Sequence, residues 1–244
     1  MRDEEIRLNA ELEETHWWFI GKRLLLDALL GERAISGRVL DLGCGSGAML
    51  RHLRDRATCV GLDRSTLALH FGREQGLTAL AQGDVGASPF RSGAFQTILL
   101  CDVIEHVDDD VQLLREAARL AGAGARVVIS VPAWQFLWSP HDETFGHKRR
   151  YTASELRQRV RAAGLVPERI TYTHFFVFPI AALWRRLGRR RAPGSHDFVP
   201  LPGWLDAVLV ALYRVEAALL RRIDLPFGVS VACIAVRDGE ATNE

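Results

Sequence analysis

Arg38-Val39-Leu40-Asp41-Leu42-Gly43-Cys44-Gly45-Ser46-Gly47 is the stretch on which the reading of this chain turns. An apolar run with one acid near its carboxyl end, followed at once by three glycines at alternate positions, describes a buried strand feeding a tight turn, with a helix beginning near Ala48. Gly43, Gly45 and Gly47 lack Cβ atoms, so the backbone can take positive φ and let a ligand approach closely. The free N–H groups of the following helix face the same space, and function is expected there.

Two ligand classes use such a turn. Gly43-x-Gly45-x-x-Ala48 satisfies the dinucleotide form G-x-G-x-x-G/A, in which a pyrophosphate lies on the helix N-terminus. Asp41 would be badly placed beside a pyrophosphate, because like charges close together repel, and it suits a cofactor with an ammonium and a sulfonium. Here the chain resembles the class I S-adenosylmethionine-dependent methyltransferases, whose first motif is an acid followed by x-Gly-x-Gly-x-Gly. The resemblance implies an α/β, Rossmann-like, seven-stranded and mostly parallel sheet with helices on both faces, and S-adenosylmethionine as cofactor.

The 244 residues, 48% hydrophobic and 25% charged, fit one core with elaborations. A formal net charge of +1 gives no global field for nucleic acid, so DNA is excluded as a partner and RNA is disfavoured. Cys44, Cys59, Cys101 and Cys233 are far apart and lie mostly in apolar runs, as small buried residues do in a reducing compartment. The start Met1-Arg-Asp-Glu-Glu carries no secretory signal, which suggests a cytoplasmic protein. The expected organisation is a helical lid over 1–37, a cofactor-binding core over 38–174, a helical insertion over 175–225, and a last strand with tail over 226–244.

Residues 3–31 read as one helix ending at Gly31. Within it, His16-Trp17-Trp18-Phe19 places four rings in a row, which cannot all face one core, so this part is expected to cover the cofactor mouth, with Arg23 pairing the methionine carboxylate. Thr58 to Leu62 is the second strand, ending in Asp63, which is 20 residues beyond Gly43 and suited to accept hydrogen bonds from both ribose hydroxyls. Leu77 to Ala81 is the third. The acid after it, Asp84, and the following Val85 match positions that in the methyltransferases take the adenine ring.

Ala94 to Leu100 is the fourth strand, and Cys101-Asp102-Val103-Ile104-Glu105-His106-Val107 continues from its carboxyl end, where ligands of open α/β sheets sit. Its Asp-Val-Ile-Glu-His-Val resembles the fourth motif of small-molecule methyltransferases such as those of ubiquinone biosynthesis. Together the motifs carry the cofactor onto Asp41, Gly43, Cys44, Gly45, Gly47, Asp63, Asp84, Val85, Cys101 and Asp102. A helix over 109–121 and a fifth strand from Ala125 to Val131 follow, with Gly122 and Gly124 as the break.

After Pro132 comes a loop with Trp134, Phe136 and Trp138, then His141-Asp142-Glu143-Thr144-Phe145-Gly146-His147-Lys148-Arg149-Arg150-Tyr151. A loop after the fifth strand shares the sheet edge of the glycine turn, so its groups point toward substrate. Trp17, Trp18, Trp138, Arg150 and Tyr151 are the expected substrate wall. His106 is the first candidate for the acceptor's proton, with His147 and His141 behind it, since imidazole accepts a proton near neutral pH.

Arg169 to His174 reads as the sixth strand and Gly228 to Val236 as the seventh. Between them, Leu201, Leu205, Val208, Leu212, Val215 and Leu219 keep a helical spacing with one apolar stripe. Arg185, Arg186, Arg189, Arg190 and Arg191 follow Phe175 to Phe178 and could seat phosphate or an anionic membrane surface, so peripheral membrane contact is read at 175–191 and 201–220.

The resemblance implies methyl transfer by in-line displacement, and the acceptor is expected to be a small or lipid-linked hydroxylated molecule, with O-methylation favoured. No metal is expected. The weighed alternative is a hard-cation site of Asp102, Glu105, His106 and a further histidine, like that of small-RNA 3′-terminal ribose methyltransferases, which implies metal-assisted ribose 2′-O-methylation of RNA. A non-catalytic cofactor-binding or scaffold role also stays open. A dehydrogenase is disfavoured, as none of Tyr151, Tyr172 and Tyr213 is followed four residues later by Lys.

Overall fold

A computed structural model describes residues 3–31, 35, 37–187 and 201–237. The Arg186 side chain, Arg189, Arg190, Arg191 and the tail after 237 lie outside the described residues. In chain order the elements are α1 (Asp3–Leu12), α2 (Trp17–Leu30), β1 (Arg38–Leu42), α3 (Ala48–Leu53), β2 (Thr58–Asp63), α4 (Thr66–Glu74), β3 (Leu80–Gln82), β4 (Phe95–Cys101), α5 (Asp110–Leu120), β5 (Ala121–Pro132), α6 (Pro140–Phe145), α7 (Ala153–Ala162), β6 (Leu165–Thr173), α8 (Phe178–Leu187), α9 (Gly203–Leu220) and β7 (Ser230–Arg237).

The seven strands lie in the order β3-β2-β1-β4-β5-β7-β6, and only β7 runs antiparallel to its neighbours. Strand order reverses between β1 and β4, so a crevice opens beyond the carboxyl ends of these two strands. Side chains alternate across the sheet: Leu40, Ile98, Leu100, Val127 and Ile129 join Leu113, Leu114, Leu156 and Val160 of α5 and α7 on one face. Val39, Leu99 and Val128 meet Leu26, Leu30 and Leu53 of α2 and α3 on the other.

Several boundaries differ from the sequence reading. The amino-terminal helix is two helices, because His16 takes an extended backbone and its Nδ1 caps the Trp18 N–H at 3.3 Å. The third strand begins at Leu80, since Leu77 instead fills the space under Gly47. Gly122 and Gly124 do not separate helix from strand. The fifth strand starts at Ala121 and the glycines form a bulge, where pairing jumps from Phe95 opposite Ala121 to Thr97 opposite Arg126.

The sixth strand runs back to Leu165, four residues before Arg169, through an irregularity between Pro167 and Arg169.

Helix α9, though inserted between β6 and β7, packs back on α2 through Tyr213, Ala217 and Leu220 against Leu25 and Ala28. The stripe selected by spacing is not the face that packs. Val208, Val215 and Leu219 are exposed, while Tyr213, Glu216, Ala217 and Leu220 are buried. Glu216 turns inward because its Oε2 accepts the Phe175 N–H at 3.0 Å, which ties α9 to the end of β6. Close approach of the two helices needs Gly21, where an added Cβ would lie 2.5 Å from Tyr213 Cε2.

Gly21→Ala should therefore destabilise the protein by about 1–3 kcal/mol through overpacking, read as a lower midpoint in chemical denaturation. An unchanged midpoint would show that the α2–α9 contact contributes little to folding.

Candidate functional site

Four acids stand at or just beyond the carboxyl ends of adjacent strands: Asp41 in β1, Asp63 ending β2, Asp84 after β3 and Asp102 after β4. Gly43, Gly45 and Gly47 all have positive φ. A Cβ at Gly43 would strike Val103 at 2.8 Å, so the turn sits directly against the segment after β4, whereas a Cβ at Gly45 would meet nothing within 4 Å. The turn thus presents open backbone to the crevice at Gly45. Not all its N–H groups face a ligand, however: the Gly45 N–H donates to Asp63 Oδ2 at 2.8 Å, and those of Gly43 and Cys44 donate to the Leu62 carbonyl.

Asp63 also accepts the Ser65 N–H at 2.8 Å through Oδ1, which holds its carboxylate at the crevice. Asp84 is exposed and accepts the Gly86 N–H at 2.7 Å, so it forms a turn that leaves Val85 packed beside the core. Cys44 is buried, and desolvation pushes its thiol far above the usual range, as it does for Cys101 at the end of β4. Both are packing residues there and not nucleophiles.

Asp41 is the unbalanced charge. It is 3% exposed, and burial, aided by the charge of Asp63, pushes its carboxyl up to about 7. A buried carboxylate calls for a cation, and the ammonium of S-adenosylmethionine meets that demand where a pyrophosphate would worsen it. The residues present therefore fit this cofactor: Asp41 for the ammonium, the open backbone of Gly45 for close approach, and Asp63, Asp84 and Val85 for the nucleoside.

The amino-terminal segment closes over the turn. Glu13 is buried, and its carboxylate takes the Ser46 hydroxyl and Arg51 of α3. Arg23, assigned from sequence to the methionine carboxylate, instead donates to the backbone carbonyls of Glu13 and Glu14. A guanidinium that stitches the α1–α2 connection is spent on positioning the lid. Lys22, which the sequence reading passed over, pairs with Asp102 and outweighs the cost of burial, holding that carboxyl below its ordinary range. Its only sequence signal is its place four residues after Trp18 on one helix face.

Among the described residues, three other than glycine have positive φ: Asp102, Trp134 and His174, each one or two positions beyond the end of β4, β5 or β6. Strain of this kind persists where surrounding structure over-determines it, and here all three lie on the ligand edge. His174 is buried, stacks on Trp18 with centroids 4.1 Å apart, and shares a 2.7 Å hydrogen bond with the Tyr213 hydroxyl. Burial, with Lys22 nearby, pushes its imidazole down to about 3. Trp17, expected at the substrate wall, stacks on Tyr213 instead and fills the α2–α9 seam.

The loop after β5 is organised by Asp142, which has no solvent exposure. Its oxygens accept Arg150 Nε and Nη2 at 2.8 and 2.9 Å, the Ser139 N–H at 2.8 Å and His147 Nδ1 at 2.8 Å. These partners outweigh burial and hold its carboxyl well below the ordinary range.

Arg150 and Tyr151, assigned to substrate from sequence, are buried and engaged elsewhere. Arg150 clamps Asp142 and the Ala133 carbonyl, while the Tyr151 hydroxyl donates to Asp110 Oδ2 at 2.9 Å. Arg185, assigned to an anionic surface, donates to the Leu137 carbonyl and lies 3.9 Å from Asp142. Trp138 is half-buried at the entrance to α6, and the His141 ring packs on Phe145 at 4.3 Å.

What this loop brings to the crevice is His147. Its ring meets that of His106 edge to face, with centroids 4.8 Å apart, and ligand atoms of Glu105, His106 and His147 lie within 4.8 Å of one another. Burial first, and then His147, push His106 down to about 4, so it is neutral at pH 7. Glu105 is fully buried, and desolvation, reinforced by Asp102, drives its carboxyl far above the ordinary range.

A family model described as "Methyltransferase domain" matches residues 20–170. Ajmaline N-methyltransferase of Rauvolfia serpentina is 33% identical over 100 residues, covering 37% of this chain and 34% of that protein. The chloroplastic tocopherol O-methyltransferase of Arabidopsis thaliana is 30% identical over 101 residues, covering 38% and 29%. The matched segment thus spans about a third of the length of these curated relatives.

Among solved structures, the fold is shared with phosphoethanolamine N-methyltransferase 2 of Haemonchus contortus in complex with S-adenosyl-L-methionine (TM-score 0.64, 16% identity, 97% of this chain and 57% of that one). It is also shared with an S-adenosylmethionine-dependent methyltransferase of Mesorhizobium loti (0.57, 17%, 92% and 99%). With its first motif on the crevice and the family model across more than half its length, this chain belongs to the class I S-adenosylmethionine-dependent methyltransferases.

Proposed function

We propose that this protein transfers the methyl group of S-adenosylmethionine to a small or lipid-linked hydroxylated acceptor, with the reacting oxygen placed at Glu105, His106 and His147. The observation that carries this reading is the convergence of those three side chains, one sheet position away from the Asp41–Gly45 turn, under a lid tied down by Lys22–Asp102 and Glu13–Ser46. When bound, the cofactor supplies a methyl carbon already activated by a sulfonium. The chain's task is then to hold the nucleophile in line, exclude water and take up one proton. Trp18 over His174, together with half-buried Trp138, supplies apolar walls for the acceptor. His106 and His147 receive its hydroxyl and proton, with Asp142 behind His147 to orient the ring.

A lipid-linked acceptor is supported by the outer face of the insertion. Trp204, Val208, Val215 and Leu219 of α9 are exposed at spacings that place them on one side of the helix, and α8 exposes Ile180, Leu183 and Trp184. No helix among the described residues is long and apolar enough to cross a membrane, so contact with lipid would be in the plane of its surface.

Four outcomes test the reading. Labelled methyl from S-adenosylmethionine, offered with cell extract, should appear in the organic-solvent or small-molecule fraction. In His147→Ala, kcat should fall about 10²-fold or more with cofactor affinity intact; label found only in RNA would overturn the acceptor class. Because Asp41 titrates near 7 and a cation beside it favours the ionised form, cofactor affinity should rise between pH 6 and 7.5, with proton release at pH 6. Calorimetry in two buffers of different ionisation enthalpy reads this, and identical heats at pH 6 would remove Asp41 from the ammonium site. Vesicles containing phosphatidylglycerol should sediment the protein, and the double change Trp204→Ser with Val208→Ser should abolish this without lowering the melting temperature. Equal sedimentation of the variant would dismiss the lipid surface.

A further inference from the structure

We propose that Glu105, His106 and His147 form a binding site for one divalent first-row transition cation. This deepens the proposed function, rests on it for the cation's role and replaces its proton step: with their lone pairs on the cation, His106 and His147 would no longer take the proton, and the acceptor's hydroxyl would lose it to solvent while bound to the cation; the resulting oxygen would form the new bond to the methyl carbon as the carbon–sulfur bond of the sulfonium breaks. Binding of the cation itself does not depend on that reading.

Three observations carry the site. The first is convergence, since one ligand atom from each of the three side chains lies within 4.8 Å of the others, a spread that sub-ångström to ångström side-chain rotations close onto a shared ion. The second is Glu105. It has no solvent exposure, and neither carboxyl oxygen has a hydrogen-bond partner. An orphaned buried carboxyl is costly and uncommon, and each one calls for an explanation. A cation facing it supplies one.

The third is the orientation of the His147 imidazole. His147 has its Nδ1 on Asp142 at 2.8 Å, and Asp142 is itself locked by Arg150 and the Ser139 N–H. The His147 ring thus has Nδ1 occupied by a carboxylate, which fixes its tautomer and leaves the lone pair of Nε2 for a metal. Metal-binding histidines are held in this way. The His106 and His147 rings meet edge to face at 76°, so both present to the same small space.

Asp102, one of the ligands weighed from sequence, is excluded because Lys22 pairs with it. Two imidazoles and one carboxylate, with the remaining positions open to acceptor or water, suit Mn²⁺, Fe²⁺, Co²⁺ or Zn²⁺ better than Mg²⁺ or Ca²⁺, which favour all-oxygen shells.

The test uses the full chain stripped with chelator, with neither cofactor nor acceptor present. Titration with Mn²⁺, followed by electron paramagnetic resonance, should show one saturable site per chain, from which Co²⁺ displaces it. Glu105→Gln and His147→Ala should abolish that site. Asp142→Asn, a positioning variant, should weaken it about 10- to 100-fold. Circular dichroism and S-adenosylmethionine affinity confirm that the variants remain folded. Absence of saturable Mn²⁺ and Co²⁺ binding in the unaltered protein, or binding indifferent to both ligand variants while they stay folded, overturns the site. Full methyl transfer in excess chelator would overturn the cation's role and leave the proposed function standing; a bound cation without methyl transfer to any acceptor would do the reverse.

Discussion

Asp142 carries a charge with no exposure to water, and the loop side of the crevice is arranged around making that tolerable. A lone buried carboxylate is strongly disfavoured, but a bidentate guanidinium from Arg150, a backbone N–H and an imidazole together satisfy its lone pairs. Because the partners come from both ends of the 139–151 segment, the loop after β5 closes on itself. Its far end returns to the sheet at Tyr151, which bridges to Ala133 and bonds Asp110, at the start of α5. The segment holding Glu105 and His106 lies between β4 and α5, so one buried ion cluster and one buried phenol fix the loop against the fourth motif. The position of His147 over His106 follows from that.

A second set of contacts meets on α2. Its Gly21 admits Tyr213 of α9, its Trp18 covers His174 after β6, and its Lys22 reaches Asp102 after β4. Helices α2 and α9, whose Gly21 and Tyr213 are 192 positions apart in sequence, therefore form one unit over the carboxyl edge. Motion of α2 would disturb the pairing at Asp102 and the stack on His174 together. The connection from α1 adds Glu13, buried against Ser46 and Arg51 at the glycine turn, so the lid touches both the glycine turn and the segment after β4.

The insertion has a consequence at the surface as well. Since α9 turns Tyr213, Glu216, Ala217 and Leu220 inward, the apolar residues left over face outward. A helix apolar on more than one side normally signals burial on both. Here α2 covers one face, and Trp204, Val208, Val215 and Leu219 remain open for an apolar neighbour.

The order of strands and helices, the glycine turn and the acids at the strand ends were legible in the sequence. Periodicity, glycine spacing and the position of an acid relative to a strand are local properties, written in consecutive residues. Legible too was the crowding of rings and histidines into segments 16–19 and 134–151. What each polar side chain does was decided only in three dimensions. Arg23, Arg150, Tyr151 and Arg185 carry the charges and donors of ligand-binding residues, yet each is consumed by an internal partner that is 8 to 48 positions away or, for Arg23 and Tyr151, by groups 9 to 47 positions away. The stripe on α9 had the correct period and the wrong face, because which side of a helix is buried depends on the shape of its neighbour, here the gap at Gly21. His147 lies 41 residues from His106, and no spacing rule joins them. Their meeting depends on Asp142, a buried charge whose partners the tertiary structure alone supplies.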